Sequence, residues 1–262
     1  MTGAAAGDPA AGQDPAAGQD PAGDPAAGDP PAAGPDPAAG PDHVAGPDHV
    51  AGPTEWGDGL VGVGPWEVEH PGEPRPTGEH WDPDLLDSGD RRNVVDCYRY
   101  WRREAIVADL DTRRHPFHVA IENFGHDANI GTVVRTANAF LAAEVHIVGR
   151  RRWNRRGAMV TDRYQHLRHH EDVSALMDWA ESRGLPVLAV DNLPGAEPLE
   201  TVRLPRECVL LFGQEGPGVS DDARLRAART VSIAQFGSTR SINAGVAAGI
   251  AMHAWIREHA AR

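Results

Sequence analysis

Residues 115–262 carry short, unbroken apolar runs that alternate with segments whose apolar residues recur every three or four positions. "FHVAIE" (117–122), "EVHIVG" (144–149), "PVLAV" (186–190), "CVLLFG" (208–213) and "TVSIA" (230–234) read as strands. "NIGTVVRTANAFLA" (129–142) and "VSDDARLRAA" (219–228) read as helices, and Val173, Leu176, Met177 and Ala180 mark one face of another. The last helix lies in "TRSINAGVAAGIAMHAW" (239–255), polar at its mouth and then built mostly from Ala and Gly. A helix with so small a face presses closely on a neighbour. Short buried strands alternating with helices predict a parallel α/β sheet covered on both faces. Ligands of such sheets bind beyond the carboxyl ends of strands, so the loops that leave strands are the places to look for chemistry. Upstream, Val94, Tyr98, Trp101 and Ala105 stand at helical spacing and predict one amphipathic helix over 91–110, packed on the domain.

Charge divides the 262 residues unevenly. Residues 1–90 hold 18 acids and one basic residue, Arg75, whereas 91–262 hold 24 Arg and 20 acids. The net charge of −13 therefore belongs to the amino-terminal part, and the remainder is mildly basic. The first 55 residues are mostly Ala, Gly, Pro and Asp in near-repeats such as "AGPDHV"; they lack the large apolar groups a core needs, and Pro interrupts any helix. We read residues 1–88 as a disordered acidic tail and linker, 89–114 as a helical extension, and 115–262 as the α/β domain. Trp56, Trp66 and Trp81 are the linker's candidates for docking. Two cysteines, Cys97 and Cys208, make neither a disulfide framework nor a metal-ligand pattern. No signal peptide and no apolar run of about 18 residues is present, which predicts a cytoplasmic protein. Lys is absent, and Arg, which suits phosphate recognition, carries every positive side chain.

Three loops hold candidate chemistry. In "NIGTVVRTA" (129–137), Asn129 stands where a helix N-cap belongs. Arg135 follows Val133 and Val134, so its stem is expected to be partly buried and its guanidinium to need acceptors. "FGQEGPGVS" (212–220) is a strand-to-helix turn in which Gly213, Gly216 and Gly218 permit close backbone approach and Glu215 supplies a carboxylate. Its spacing is neither the dinucleotide fingerprint nor a phosphate loop. In the third, "IAQFGSTRSIN" (233–243), Ser241 or Asn243 can cap the next helix.

In this order and spacing the three segments resemble the SpoU/TrmH family of RNA 2′-O-methyltransferases, within the SPOUT superfamily, over roughly residues 115–260. Asn129, Gly131, Arg135, Thr136 and Ala137 match its first motif. Gly213, Glu215, Gly216 and Gly218 match the second; Ile233, Gly237, Ser241, Ile242 and Asn243 match the third. The chain departs from the third motif with Ala234 and Gln235 for Pro-Met and with Ala244 and Gly245 for Val-Ser. The resemblance implies a parallel sheet flanked by helices, with a deep trefoil knot near the carboxyl terminus. It also implies a homodimer and S-adenosylmethionine held within the knot. By the same carry-over, Gly213, Gly218, Ile233 and Ile242 hold the cofactor. Arg135, Ser241 and Asn243 form the reaction centre, with Asn129 and Glu215 in support. The activity implied is methyl transfer to a ribose 2′-hydroxyl of tRNA or rRNA; a non-catalytic RNA-binding dimer of the same fold is the alternative.

A separate segment points to RNA from its residues alone. "GRRRWNRRG" (149–157) places Arg151, Arg152, Arg155 and Arg156 around Trp153, a set that pairs with phosphates and can stack on an unpaired base. The His-rich "YQHLRHHEDV" (164–173) lacks a convincing ligand set, and no metal is assigned to it.

Overall fold

The computed structural model describes residues 62–260 except Phe124, His126 and Glu215, together with two short strands before them. The Ala/Gly/Pro/Asp stretch through residue 54, and with it the expected disorder, lies outside the described residues. The two short strands, β1 (Glu55–Trp56) and β2 (Gly59–Leu60), pair antiparallel.

The remaining seven strands make one sheet: β3 (Phe117–Asn123), β4 (Val145–Gly149), β5 (Leu167–His170), β6 (Val187–Val190), β7 (Glu197–Pro198), β8 (Cys208–Phe212) and β9 (Arg229–Ser232). Their order is β5-β4-β3-β8-β6-β9-β7, and every pairing is parallel. Side chains alternate across the sheet with a period of two. On one face Phe117, Val119, Ile121, Leu210 and Phe212 pack under α4 (Ile130–Ala139) and α7 (Ala244–His259). On the other, Ala120, Val148, Val209 and Leu211 pack under α5 (Val173–Glu181) and α6 (Asp221–Arg226). Two-sided burial is why "CVLLF" and "VLAV" are continuously apolar rather than alternating. The edge strands β5 and β7 are not, and the apolar pattern does not find them.

Small residues set how closely α7 approaches α4. A Cβ on Gly245 would lie 2.9 Å from Thr132 Cγ2, and one on Gly249 would lie 3.8 Å from Thr136 Cγ2. Farther along α7, Trp255 is fully buried and its indole N–H donates to the carbonyls of Pro205 and Arg206. Among the described residues, no helix is long and apolar enough to cross a membrane.

Beneath α5, three imidazoles from neighbouring strands form a ladder. His118 Nδ1 lies 3.0 Å from His146 Nε2, and His146 Nδ1 lies 2.9 Å from His170 Nε2. Trp179 covers them, its ring centroid 4.2 Å from that of His146. Burial first, then the neighbouring His118 and His170, lowers the His146 pKa to about 2. Burial lowers those of His118 and His170 as well.

The segment before the sheet differs from expectation. Residues 62–88, assigned above to the tail and linker, carry α1 (Trp66–Glu69) and α2 (Pro83–Ser88). They are tied to residues 90–100 by paired backbone bonds between Val63 and Asp90 and by Trp66 packed edge-on to Tyr100. The single helix expected over 91–110 is broken. A short 3-10 turn at Asp96–Tyr98 ends before Tyr100, whose φ is +62°, and α3 (Arg103–Asp111) starts beyond it. The break satisfies Asp90: its fully buried carboxylate accepts from the Tyr100 N–H and from the backbone and guanidinium of Arg92. A continuous helix would draw the Tyr100 N–H into its own ladder and take one donor from that buried charge.

Candidate functional site

A cavity of about 570 Å3 opens beyond the carboxyl ends of β6, β8 and β9, against the first turn of α7. This is where a parallel sheet offers unpaired backbone groups and room between loops. Val190–Leu193, Phe212–Gln214, Gly216–Gly218, Ile233, Gln235 and Arg240–Ala244 supply most of its wall. The volume is within the ordinary range for a small-molecule site, roughly 300–1,000 Å3.

Backbone approach shapes the Gly-rich side. A Cβ on Gly213 would sit 2.0 Å from the Gly218 carbonyl carbon, so the two arms of the turn touch backbone to backbone. Gln214 and Gly218 exchange both of their backbone hydrogen bonds there. Gly218 has φ +74°, and a Cβ on it would meet Asp191 Oδ2 at 2.4 Å. These glycines are therefore required by contact as well as by conformation.

Two carboxylates outside the three motif segments hold this turn. Asp191, just beyond β6, accepts from Val219 N (2.8 Å) through Oδ2 and from Asn192 N (2.7 Å) through Oδ1. Glu122, buried near the end of β3, accepts from Ser220 N (3.0 Å) and Ser220 Oγ (2.5 Å). Burial pushes the Glu122 pKa up against the downward pull of those two donors. Neither residue is among the candidates read from the sequence, although signals were present: Asp191 directly follows a buried strand, and Glu122 is an acid within an apolar run.

The third segment supplies the polar mouth. Asn243 caps α7, its Oδ1 accepting from Gly245 N (2.9 Å) and Val246 N (3.2 Å). Its Nδ2 donates to Asn129 Oδ1 at 2.8 Å, joining the first and third segments. Asn129 occupies the cap position of α4, but its side chain makes no capping bond and serves this link instead. Ser241 is exposed and lines the cavity, as do Ile233, Ile242, Gly213 and Gly218. Glu215 lies outside the described residues.

Arg135 is not where its apolar neighbours suggested. Val133, Val134 and Ala137 take the core face of α4, which leaves Thr132, Arg135 and Ala139 on the outward face. Its side chain is exposed, does not line the cavity, and has no hydrogen bond or ion pair to a described residue. The expected partly buried guanidinium is thus corrected to a free one.

The basic loop stands apart from the cavity wall. Arg151, Arg152, Arg155 and Arg156 are exposed. Trp153 is half-buried and packs on the core; Arg155 lies over its ring at 5.8 Å and also pairs with Asp162 at 3.4 Å. The loop is moored to α4, because a Cβ on Gly131 would come within 2.6 Å of Ala158 N and Gly157 Cα. The first motif's glycine therefore serves helix-to-loop packing. Among the described residues, three metal-capable donors converge at His118, Glu144 and His146, within 4.8 Å of one another. The imidazoles there bond to each other, Arg168 Nε donates to Glu144 (3.0 Å), and none of the three lines the cavity.

Comparison with known proteins agrees with this geometry. A protein of Mycobacterium ulcerans named as an uncharacterized tRNA/rRNA methyltransferase is 33% identical over 164 residues, 57% of this chain and 49% of its own length. The chain thus spans about half the length of that relative. A tRNA (guanosine(18)-2′-O)-methyltransferase of Thermus thermophilus is 28% identical over 157 residues, covering 57% of this chain and 78% of the relative. The AdoMet-bound structure of an rRNA methyltransferase from Sinorhizobium meliloti superposes with a TM-score of 0.50 at 25% identity, over 57% of this chain and 60% of that one. The sequence profile of the SpoU rRNA Methylase family matches residues 116–253. Since that match covers more than half of the chain and runs through each strand end bordering the cavity, the chain belongs to the SpoU rRNA methylase family.

Proposed function

We propose that this chain is an S-adenosylmethionine-dependent methyltransferase acting on a ribose 2′-hydroxyl of tRNA or rRNA. One observation carries the reading: the second and third motif segments line one cavity, and the first is tied to the third by the Asn243–Asn129 bond of 2.8 Å. The cavity fits a nucleoside-containing cofactor. Its Gly213–Gly218 wall is backbone packed on backbone with no room for a Cβ, and Gln235 Oε1 on the rim is buried with no partner among the described residues. The AdoMet-bound relative supports the choice of cofactor.

When bound, the cofactor supplies an activated methyl group, so the protein's work is positioning and charge management. Backbone groups at Gly213, Gly218, Ile233 and Ile242 hold the adenosyl part. Asn129 fixes Asn243, and with Ser241 it orients the ribose; Glu215 acts in support. A guanidinium keeps its proton, its pKa being above about 12. Arg135 therefore stabilises charge developing on the hydroxyl oxygen, while a neighbouring phosphate takes the proton. Its exposed, unpaired state suits a group that acts on an incoming anion.

Arg151, Arg152, Arg155 and Arg156 bind RNA phosphates; Trp153 mainly braces their loop. The working unit is a homodimer. Exposed Val246 (53%) and Ile250 (40%) on α7, beside the outward face of α4, offer the copy its seat. The deep knot and a cytoplasmic site of action belong to the same reading.

The test uses cofactor labelled at its methyl group and total RNA from cells lacking the gene. Label in alkali-resistant dinucleotides is expected. Label in bases, or cofactor binding without transfer, overturns the assignment.

A further inference from the structure

Residues 233–243 join β9 to α7 without a helix or strand. Phe236, in the middle of this strap, is 98% exposed, more than any other large apolar residue described. An aromatic ring so fully exposed has both faces free to stack on a base. Its sequence neighbour Gln235 lines the cavity, and so does Arg240 four residues on. Arg240 is exposed and has no hydrogen bond or ion pair to a described residue. A Cβ on Gly237 would meet nothing within 4 Å, so that side of the strap faces open space. The strap that borders the cavity thus carries one bare aromatic ring and, four residues on, a cavity-lining guanidinium with no bond to a described residue.

We propose that Phe236 and Arg240 form a nucleoside clamp: Phe236 stacks on the base of the target nucleotide or its neighbour, and Arg240 pairs with the adjoining phosphate. The proposal rests on the methyltransferase reading and extends it to the form of the substrate. A base can stack on a side chain only when it has left its own stack, so the RNA is unpaired at the modified position. The chemistry favours RNA over a second copy of the chain as the group that covers Phe236. The strap between the two residues is Gly237-Ser238-Thr239 and ends on an unpaired cation, whereas the centres of protein interfaces are depleted of charge. The exposed apolar pair Val246 and Ile250 on α7 already offers a copy an apolar seat.

Fluorescence anisotropy with a labelled 12-nucleotide single-stranded RNA and with its duplex, both in the presence of S-adenosylhomocysteine, tests the clamp on the full chain. Wild type is expected to prefer the single strand. Phe236→Ala weakens that binding about tenfold, Phe236→Trp restores it, and Arg240→Gln weakens it while reducing its salt dependence. In the Phe236 variants, calorimetric affinity for S-adenosylhomocysteine and the sedimentation coefficient stay at wild-type values. Unchanged single-strand binding by Phe236→Ala overturns the clamp and leaves the methyltransferase reading standing. Loss of the oligomer in that variant overturns it in favour of a copy-to-copy contact. Wild-type protein that binds neither S-adenosylhomocysteine nor RNA overturns both.

Discussion

Arg135 shows how far a single residue can be understood from its neighbours. Val133 and Val134 beside it argued for a buried stem; the helical period instead turns position 135 outward with Thr132 and Ala139. An unpaired, exposed guanidinium is dispensable for folding, which makes it testable. Arg135→Ala is expected to lower kcat by about 10²–10³-fold, the usual effect of removing one charge-stabilising donor, with cofactor affinity by calorimetry kept within about twofold. A matching loss of cofactor affinity would remove the role assigned to it. Arg135→Lys is expected to stay impaired, since a point charge does not reproduce the planar fork. At the same scale, the Asn residues were legible as motif members, but their mutual bond was not: positions 129 and 243 are 114 residues apart, and nothing local pairs them.

At the scale of elements, the turn from β8 into α6 is held by contacts that its glycines alone permit. Gly213→Ala puts a methyl group 2.0 Å from the Gly218 carbonyl carbon, and backbone cannot yield there as a side chain would. We expect a stability loss of about 1–3 kcal/mol by urea denaturation and a fall in cofactor affinity measured on the folded fraction. Wild-type values of both would show that the turn is more pliant than its geometry. The sheet holds a second testable feature in the His118–His146–His170 ladder. Burial depresses the pKa of all three imidazoles, so on acidification the unfolded chain binds more protons than the folded one. Their stability contribution is present above the ordinary value of 6.5 and is lost as pH falls below it. Each imidazole that must stay neutral adds about 1.4 kcal/mol per pH unit to the slope. Urea midpoints between pH 7 and pH 5 should fall steeply in wild type and less steeply in His146→Leu. Parallel slopes would exonerate the ladder. The apolar pattern located the core strands and missed β5, because an edge strand bonded on one side can carry "LRHH".

For the whole molecule, the relevant contrast is charge. Residues 1–55 hold nine acids and no Arg, while exposed Arg151, Arg152, Arg155 and Arg156 stand on the folded domain. If the acidic segment competes with RNA for those arginines, deleting residues 1–55 raises RNA affinity severalfold at low salt, and the gain fades as salt rises. Equal affinities for the two chains in a filter-binding titration would make the segment a bystander. The extension over 62–114 belongs to the same scale. Its order depends on Asp90, Arg92 and Tyr100 meeting around one buried carboxylate, which helical spacing of Val94, Tyr98 and Trp101 could not foretell.

The order of residues alone determined the parallel α/β class, the core strands and the three motif segments. Each depends on local regularities: two-sided burial makes a strand continuously apolar, and turns need glycine. Tertiary structure alone decided that Asp191 and Glu122 brace the glycine turn, that Gly131 moors the basic loop, that Asn129 meets Asn243, and that Phe236 is left bare on the strap beside the cavity. Those facts arise from groups dozens of residues apart along the chain, and only packing the sheet between its two helical layers brings such groups within a hydrogen bond of one another or leaves them in water.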